Sequence, residues 1–198
     1  MKRSSLNFPH AYGPPSAQAL FRSVPEDFQV DEDLGIDLTG AGEHLYLQLR
    51  KRGQNTLWLA RELARFCGVR NFDVGYSGLK DRQAVTTQWF SVYLPKGLQS
   101  DLSGFQPEGV ELLQATWHSH KLKAGMPRSN RVSIRLRNLS SPVDERLAQV
   151  AKGVPNYFGE QRFGIDGGNL RQAQAFLIER RPIKNRKERG LILSAARS

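Results

Sequence analysis

A run of twelve residues, GLKDRQAVTTQW (78–89), joins a charged segment to a β-branched and aromatic stretch that is typical of a strand. Asp81 stands between Lys80 and Arg82, and cations favour the ionised form of a carboxyl group when they lie close to it. An ionised carboxylate can serve as a general base or as a nucleophile. In an extended segment, however, residues 80 and 82 point away from residue 81. Local chemistry alone therefore favours a solvated charge cluster at the start of a strand, because charged turns are common.

Basic side chains dominate two later stretches. Residues 118–137 contain six Lys or Arg and no acidic residue, and residues 179–190 contain six Lys or Arg and two Glu. The chain has 29 Lys and Arg against 19 Asp and Glu, a net charge of +10, and the excess lies entirely beyond residue 50. A field of this size attracts polyanions, of which nucleic acid is the commonest in the cytoplasm. A solvated basic face is the alternative explanation for each stretch.

Several classes of protein and site are excluded. No apolar run approaches 18 residues, so no transmembrane helix is predicted, and the N-terminus lacks the apolar core of a secretory signal. The single cysteine, Cys67, excludes an internal disulfide framework and favours a reducing cytoplasm. His118 and His120 have no ligand partners at metal spacing, so a surface strand pair is the better interpretation, and no metal or cofactor is expected.

The strands and helices around Asp81 can be predicted from the spacing of hydrophobic residues along the chain. Alternation predicts strands, and three- to four-residue spacing predicts helices. The strands are predicted at 25–34, 44–52, 84–94, 110–119 and 131–138, and the helices at 55–68, 141–153 and 169–181. The segment 75–83 is predicted to be turn-like. This order indicates an α+β fold with a mixed, mainly antiparallel sheet flanked by helices.

Element ends carry their own signals. Asn55 or Thr56 can cap the helix at 55–68, and Gly68 can end it. Ser141 as N-cap and Pro142 as the first helical residue predict the start of the next helix. In 131–138, Val132, Ile134 and Leu136 are predicted to face one side and Arg131, Arg135 and Arg137 the other.

The motif around Asp81 resembles that of the TruD family of pseudouridine synthases, in which the aspartate of K-D-x-x-A-x-T-x-Q is catalytic. Three further stretches are similar to the family in the same order. They are PEDFQVDED near the N-terminus, the segment Arg128–Asn130, and GVPNYFGEQRFG at 153–164. The resemblance extends from about Ala19 to Ser198.

The resemblance implies a tRNA pseudouridine synthase that isomerises uridine 13, with Asp81 as the catalytic carboxylate and with no cofactor or metal. It implies tRNA as partner, a cytoplasmic location, no membrane, and a monomer for the full-length family. Substrate-binding residues are expected at Arg22, Lys80, Arg82, Asn130, Val132, Phe158, Gln161, Arg162 and Phe163. Contacts to the RNA backbone are expected at Lys121, Lys123, Arg128, Arg131, Arg135 and Arg137.

The resemblance also implies a domain plan. Residues 1–152 are expected to form the pseudouridine synthase catalytic domain without its C-terminal return, and 153–198 to begin a family-specific α/β insertion domain. Either the chain is a gene fragment that folds around its first 150 residues, or another chain supplies the remainder. Val132 stands where the family has a phenylalanine that lines the base pocket. A truncated, non-catalytic RNA-binding module therefore remains an alternative, and a basic protein that contacts only proteins is a third.

Overall fold

The computed structural model describes residues 10–155 and 167–179. Strands and helices are numbered separately in chain order. The strands are β1 (Leu20–Phe21), β2 (Phe28–Asp33), β3 (His44–Arg52), β4 (Val74–Tyr76), β5 (Val85–Tyr93), β6 (Val110–His118), β7 (Ser129–Ile134) and β8 (Leu136–Arg137). The helices are α1 (Thr56–Phe66), α2 (Asp144–Val150) and α3 (Gly168–Leu177), and short 3-10 turns occur at Pro25–Asp27, Asn71–Asp73 and Leu102–Gly104.

The main sheet has the strand order β6-β3-β5-β2-β7, and β4 also pairs with β5. Only β2 and β5 run parallel to each other; the remaining pairs in the described sheet are antiparallel. A separate two-stranded ladder joins β1 to β8. The predicted α+β class with a mixed, mainly antiparallel sheet is confirmed.

One edge of the central strand β5 is shared by two partners. β3 pairs with β5 along its whole length. On the other edge, β2 meets residues 85–87 and β4 meets residues 90–92. Gln88 and Trp89 therefore lie at a split in the sheet, between the two ladders, where neither β2 nor β4 pairs with β5. Both residues are buried. The backbone of Gln88 is directed toward β3, so it is the backbone N–H of Trp89, directed toward the split, that needs another hydrogen-bond partner.

Helix α1 covers one face of this sheet and forms the larger core. Asn55 caps the helix: its side chain accepts the backbone N–H groups of Leu57 and Trp58 at 2.8 and 3.3 Å. Leu59 and Leu63 are fully buried against the leucines of β3 and the aromatic and aliphatic residues of β5. The helix ends before Gly68, whose φ of +66° is the left-handed conformation that favours glycine there. The prediction of this helix is confirmed.

The opposite face of the sheet carries a smaller apolar cluster of Leu34, Tyr46, Trp89 and Leu122. Tyr46 alternates with the leucines of β3, so successive side chains of that strand reach opposite faces. The hydroxyl of Tyr46 donates to the carbonyl of His120 at 3.1 Å, which satisfies the polar end of a fully buried ring.

The structure departs from the predicted elements in several places. The stretch 131–138 is two strands, because the N–H of Arg135 leaves the ladder and donates to the carbonyl of Asp27 at 2.8 Å. Helix α2 begins at Asp144 with Val143 as its N-cap, so the predicted start at Ser141–Pro142 is wrong. Part of the segment predicted as a turn forms β4, whose three residues find a partner in β5.

The chain divides into two compact units. Residues 17–141 form one, and the described residues within 1–16 and 142–198 form the other. In the second unit, the Arg146 guanidinium donates to the carbonyls of Tyr12 and Pro14. The boundary predicted at residue 153 stays a prediction. Within the described ranges, the helices are too short and too polar to cross a bilayer.

Candidate active site

Asp81 lies in the irregular loop between β4 and β5, and buried polar side chains hold this loop in place. The backbone N–H of Lys80 donates to the Thr56 hydroxyl oxygen at 3.1 Å, and that hydroxyl donates to Gln88 Oε1 at 3.1 Å. The amide of Gln88 in turn donates to the carbonyl of Gly78 at 2.6 Å. Thr56 and Gln88 are almost completely buried. The loop is thus fastened to the first turn of α1 and to the split in the sheet.

The carboxylate of Asp81 is paired with Arg22. Nη2 of Arg22 lies 3.2 Å from Oδ2 of Asp81, and the Asp81 side chain keeps 46% of its surface exposed. The guanidinium also stacks on two aromatic rings, 3.9 Å from the centroid of Phe28 and 5.0 Å from that of Phe21. Stacking restricts the guanidinium, so it holds a nearby carboxylate in one orientation. The Asp81 carboxylate is therefore held in one orientation and is still accessible to solvent.

Arg22 has an unusual backbone conformation. Its φ is +57°, in the left-handed region that costs a non-glycine residue about 1 kcal/mol. Strain of this kind persists only where surrounding contacts determine it. Here those contacts are the ion pair to Asp81 and the two aromatic rings. Within the described residues, Asn138 is the other non-glycine residue with positive φ.

A second polar network fills the split edge of β5. Oε1 of Glu32 accepts the backbone N–H of Trp89 at 3.1 Å, which supplies the hydrogen bond that no strand provides. Oε2 of Glu32 lies 2.8 Å from Nζ of Lys80 and also accepts the Ser77 hydroxyl. Lys80 Nζ donates to Oδ1 of Asn130 at 2.7 Å. The Glu32 side chain is fully buried and that of Lys80 nearly so, which makes this a rigid part of the site.

The two cations beside Asp81 in the sequence turn elsewhere. Lys80 points to Glu32 and Asn130, and Nε of Arg82 donates to the carbonyl of Gly53 at 3.0 Å. Asn130 and Val132 pair with Glu32 and Val30 in the β2–β7 ladder, so they share one face of the sheet. Val132 remains half exposed. Arg22, rather than a sequence neighbour, therefore supplies the cation at the Asp81 carboxylate.

The six cations predicted to contact the RNA backbone are not equivalent. Arg128 binds the carboxylate of Asp33, and Lys121 donates to the carbonyl of Phe72 while lying 4.4 Å from that ring. The side chains of the other three surface cations make no hydrogen bond or ion pair with the described part of the chain. These three are Lys123, Arg131 and Arg135. Arg131 lies on the sheet face opposite to Asn130 and Val132, as strand alternation predicts.

The sixth cation, Arg137, is bound to a buried carboxylate. Its guanidinium donates three hydrogen bonds of 2.8 to 3.0 Å to Asp27, whose side chain is inaccessible to solvent. Asp27 also accepts the backbone N–H groups of Ser23 and Val24 at 3.1 and 3.3 Å. The hydrogen bonds from Arg137 come first among the causes that lower the pKa of Asp27. This pair fixes the turn that leads from Arg22 into β2.

The Asp27–Arg137 pair predicts an acid-dependent loss of stability. Because the pKa of Asp27 is lower in the folded than in the unfolded protein, its contribution is complete above about pH 4 and is lost at lower pH. Arg137→Met should lower the free energy of unfolding at pH 7 and weaken its decline between about pH 4 and pH 2. Urea denaturation at several pH values measures both effects. Parallel pH curves for the variant and the wild type would contradict this role.

Two further sets of predictions concern residues outside the described ranges and the histidines at 118 and 120. Phe158, Gln161, Arg162 and Phe163 lie outside the described residues, as does most of the basic stretch 179–190. His118 ends β6, and its ring lies 5.9 Å from that of His120. Within the ranges that the structure describes, no three His, Cys, Asp or Glu side chains are grouped to hold a metal ion.

The sequence prediction missed two buried charges near Asp81, Glu32 and Lys51. Both occupy inward positions of alternating strands: Glu32 follows Val30 in β2, and Lys51 follows Leu49 in β3. Lys51 is fully buried, and its Nζ donates to the carbonyl of Asp81 at 3.1 Å. A charged residue in the apolar phase of a strand was therefore the available signal.

The geometry supports chemistry that needs one carboxylate with controlled orientation. An exposed carboxylate held by a stacked guanidinium can take a proton or attack an electrophilic carbon. The guanidinium also offsets the negative charge of Asp81 when an anionic substrate approaches.

Comparisons with known proteins identify the family of this chain. Residues 10–184 match the family model described as tRNA pseudouridine synthase D (TruD). A "tRNA pseudouridine synthase D" from Cellvibrio japonicus is 50% identical over 202 residues, covering 98% of this chain and 60% of the relative. One from Pseudoalteromonas translucida is 47% identical, covering 98% of this chain and 56% of the relative.

A solved structure shows the same fold. A crystal structure described as tRNA pseudouridine synthase D (TruD) from Methanosarcina mazei superposes with a TM-score of 0.64 and 26% sequence identity. The match covers 87% of this chain and 44% of that chain. The chain thus spans somewhat more than half the length of the curated relatives it matches. The matched family model covers most of the residues, and the chain belongs to the TruD family of tRNA pseudouridine synthases.

Proposed function

We propose that this chain is the catalytic part of a tRNA pseudouridine synthase that isomerises uridine 13, with Asp81 as its catalytic carboxylate. The observation that carries the proposal is the exposed Asp81 carboxylate, paired with Arg22 at 3.2 Å in a loop with the family motif. The family to which the chain belongs supports the reaction class. The position in tRNA follows from the resemblance of the motifs.

The proposed reaction exchanges one glycosidic bond for another. The bond from ribose C1′ to uracil N1 breaks, the base turns, and a bond from C1′ to C5 forms. The proton leaves C5, and N1 gains one, so atoms and charge balance without a cofactor. Asp81 would attack the ribose, attack the base, or remove a ribose proton. Each of these routes requires an ionised and oriented carboxylate, which is the role that the contact with Arg22 supports.

A target uridine must leave the RNA stack and enter a pocket beside Asp81. Aromatic surfaces suit a uracil ring, and cations suit the adjoining phosphates. Val132 offers no flat surface, but Phe21 is half exposed under the Arg22 guanidinium and packs edge-on against Phe28. We assign Phe21 to the wall of the base pocket on this basis. Lys80, which is paired with Glu32, and Asn130, which accepts a hydrogen bond from Lys80, line the same side of the sheet.

We expect the tRNA backbone to contact the cations that have no carboxylate partner. Among the six predicted residues, four have no carboxylate partner in the described part of the chain: Lys121, which donates to the carbonyl of Phe72, and Lys123, Arg131 and Arg135. Arg128 and Arg137 have carboxylate partners, so they would approach phosphates only as part of ion pairs. The alternative function is an RNA-binding module without turnover, which Val132 at the expected pocket position favours.

Release of tritium from uracil C5 of labelled tRNA tests the proposal, because formation of the C5–C1′ bond must displace that label. We expect the whole protein to release close to one label per tRNA that carries uridine 13. A matched tRNA with cytidine at position 13 should release none from that position. Binding without release would support the RNA-binding module instead, and equal release from both tRNAs would contradict position 13. Salt-insensitive binding between about 50 and 200 mM would contradict phosphate contacts.

A further inference from the structure

Lys51 is a buried cation, and the described part of the chain places no buried anion beside it. It occupies the inward phase of β3, two residues after Leu49, and its side chain has no solvent-accessible surface. Transfer of an ammonium group from water into a protein interior is unfavourable unless hydrogen bonds or opposite charges compensate for the lost hydration. No carboxylate of a described residue lies within ion-pairing distance of Lys51. The contacts that Lys51 does make therefore indicate what the cation does.

The Lys51 ammonium donates hydrogen bonds to two main-chain carbonyl groups. Nζ donates to the carbonyl of Gln54 at 2.8 Å and to the carbonyl of Asp81 at 3.1 Å. Gln54 is three residues away, so the first bond only closes the turn after β3. Asp81 is thirty residues away, so the second bond joins the sheet to the loop that carries the carboxylate. Lys51 thus contacts the main chain of the residue whose side chain contacts Arg22.

The surrounding charges fit this position. Burial lowers the pKa of Lys51 to about 8, while the negative charge of Asp81 opposes that change and the positive charge of Lys80 adds to it. Lys51 and Asp81 therefore influence each other electrostatically, in addition to sharing a hydrogen bond. Protonated Lys51 contributes positive charge on the main-chain side of Asp81, and Arg22 contributes positive charge at the carboxylate.

The loop has other attachments that need no charge. The N–H of Lys80 is bound by Thr56, and the carbonyl of Gly78 is bound by Gln88. A neutral side chain at position 51 would leave both in place. Loop folding alone could be achieved by such neutral anchors. A charged group that also donates to two carbonyls is better explained if it acts on the orientation and charge of Asp81.

We propose that Lys51 is a positioning residue for the reaction: its buried ammonium fixes the Asp81 peptide group and stabilises negative charge on that residue. The inference rests on the proposed catalytic role of Asp81. It predicts that the chemical step becomes slower when the Lys51 ammonium is lost, whether by substitution or by deprotonation. The affinity for tRNA should be unchanged.

Lys51→Met tests this in the whole protein, because methionine has similar length and no charge. In single-turnover tritium release from tRNA, we expect the rate to fall about 10- to 100-fold, since displacement of a reacting group by about 1 Å costs about 10²-fold. The tRNA concentration for half-maximal rate should change less than about twofold, because Lys51 is buried and does not reach the RNA. Arg50→Met is the matched control. Arg50 is the preceding residue, exposed and paired with Glu111 on the other face of β3, so its loss should leave the single-turnover rate unchanged.

The pH profile distinguishes positioning from a purely structural role. The wild-type rate should decline above about pH 8, where Lys51 loses its proton, and Lys51→Met should lack this decline. Lys51→Arg, which stays charged at all these pH values, should retain activity better than Lys51→Met and also lack the decline. If Lys51→Met does not fold, the profiles of the wild type and Lys51→Arg still decide the question.

Two results overturn the inference in distinguishable ways. An active, Asp81-dependent wild type whose rate and pH profile are unchanged in Lys51→Met would refute the role of Lys51 alone. Absence of release by the wild-type protein, or release that persists in an Asp81 variant, would refute the proposed function and the role of Lys51 with it.

Discussion

Asp81→Asn is expected to lower the rate of tritium release from uracil C5 by about 10²- to 10⁴-fold, the range that one catalytic acid–base group contributes. The carboxamide has nearly the same shape as the carboxylate, and its carbonyl oxygen can still accept from Arg22. The loop anchors at Lys80 and Gly78 do not involve the Asp81 side chain. The loss should therefore arise from the missing charge and basicity rather than from disorder of the loop.

The affinity of the Asp81→Asn variant for tRNA should equal or slightly exceed that of the wild type. Removal of one exposed negative charge cannot weaken attraction to a polyanion. Asp31→Asn is a matched control, because Asp31 is exposed on the opposite face of the sheet from Glu32 and Asn130. Release at a near wild-type rate by Asp81→Asn would reject Asp81 as the catalytic carboxylate, and equal losses in both variants would point to a general charge effect.

Leu63→Ala is expected to lower the free energy of unfolding by about 2–5 kcal/mol. Leu63 has no accessible surface and packs with Leu47 and Phe90 in the core between α1 and the sheet. Truncation removes the transfer free energy of the side chain and leaves a cavity that a rigid sheet fills poorly. Urea denaturation monitored by circular dichroism gives the difference directly.

Leu57→Ala is the control for this substitution, on the same helix and with the same change of side chain. Leu57 keeps 39% of its surface exposed, so its truncation should change stability by only about 0.5 kcal/mol. Similar losses at both positions would show that burial does not determine the cost, because alanine has a higher helix propensity than leucine, and that the packing of α1 is looser than the structure indicates.

The sequence predicted the central elements well because their patterns are long. The strands at 44–52 and 84–94 and the helix at 55–68 agree with β3, β5 and α1 to within a few residues. Short elements were missed because tertiary partners define them. β1 has two residues and exists only through its pairing with β8, and β4 has three and depends on β5. Such segments contain too few residues for a period to be recognised.

Some features of the candidate site could likewise be predicted from the sequence, and others could not. The motif resemblance identified Asp81 and Arg22, but spacing along the chain could not show that they meet across 59 residues. Lys80 and Arg82 could not be assigned as partners of Asp81 from the sequence, and the backbone directs both elsewhere. Glu32 was visible as a charged residue in an apolar phase, yet its partner, the unpaired amide of Trp89, appears only once the strand order is known.

The split between the β2 and β4 ladders affects how the backbone of β5 can move. In the middle of an ordinary sheet, an amide becomes free only when strands separate. The amide of Trp89 is held by a side chain instead, so a rotation of Glu32 is enough to free it. Glu32 also holds Lys80, so any event that withdraws Lys80 from Glu32 is transmitted to the backbone of the central strand. Hydrogen exchange at this single amide therefore reports on the polar network beside Asp81, without a ligand or label at the site.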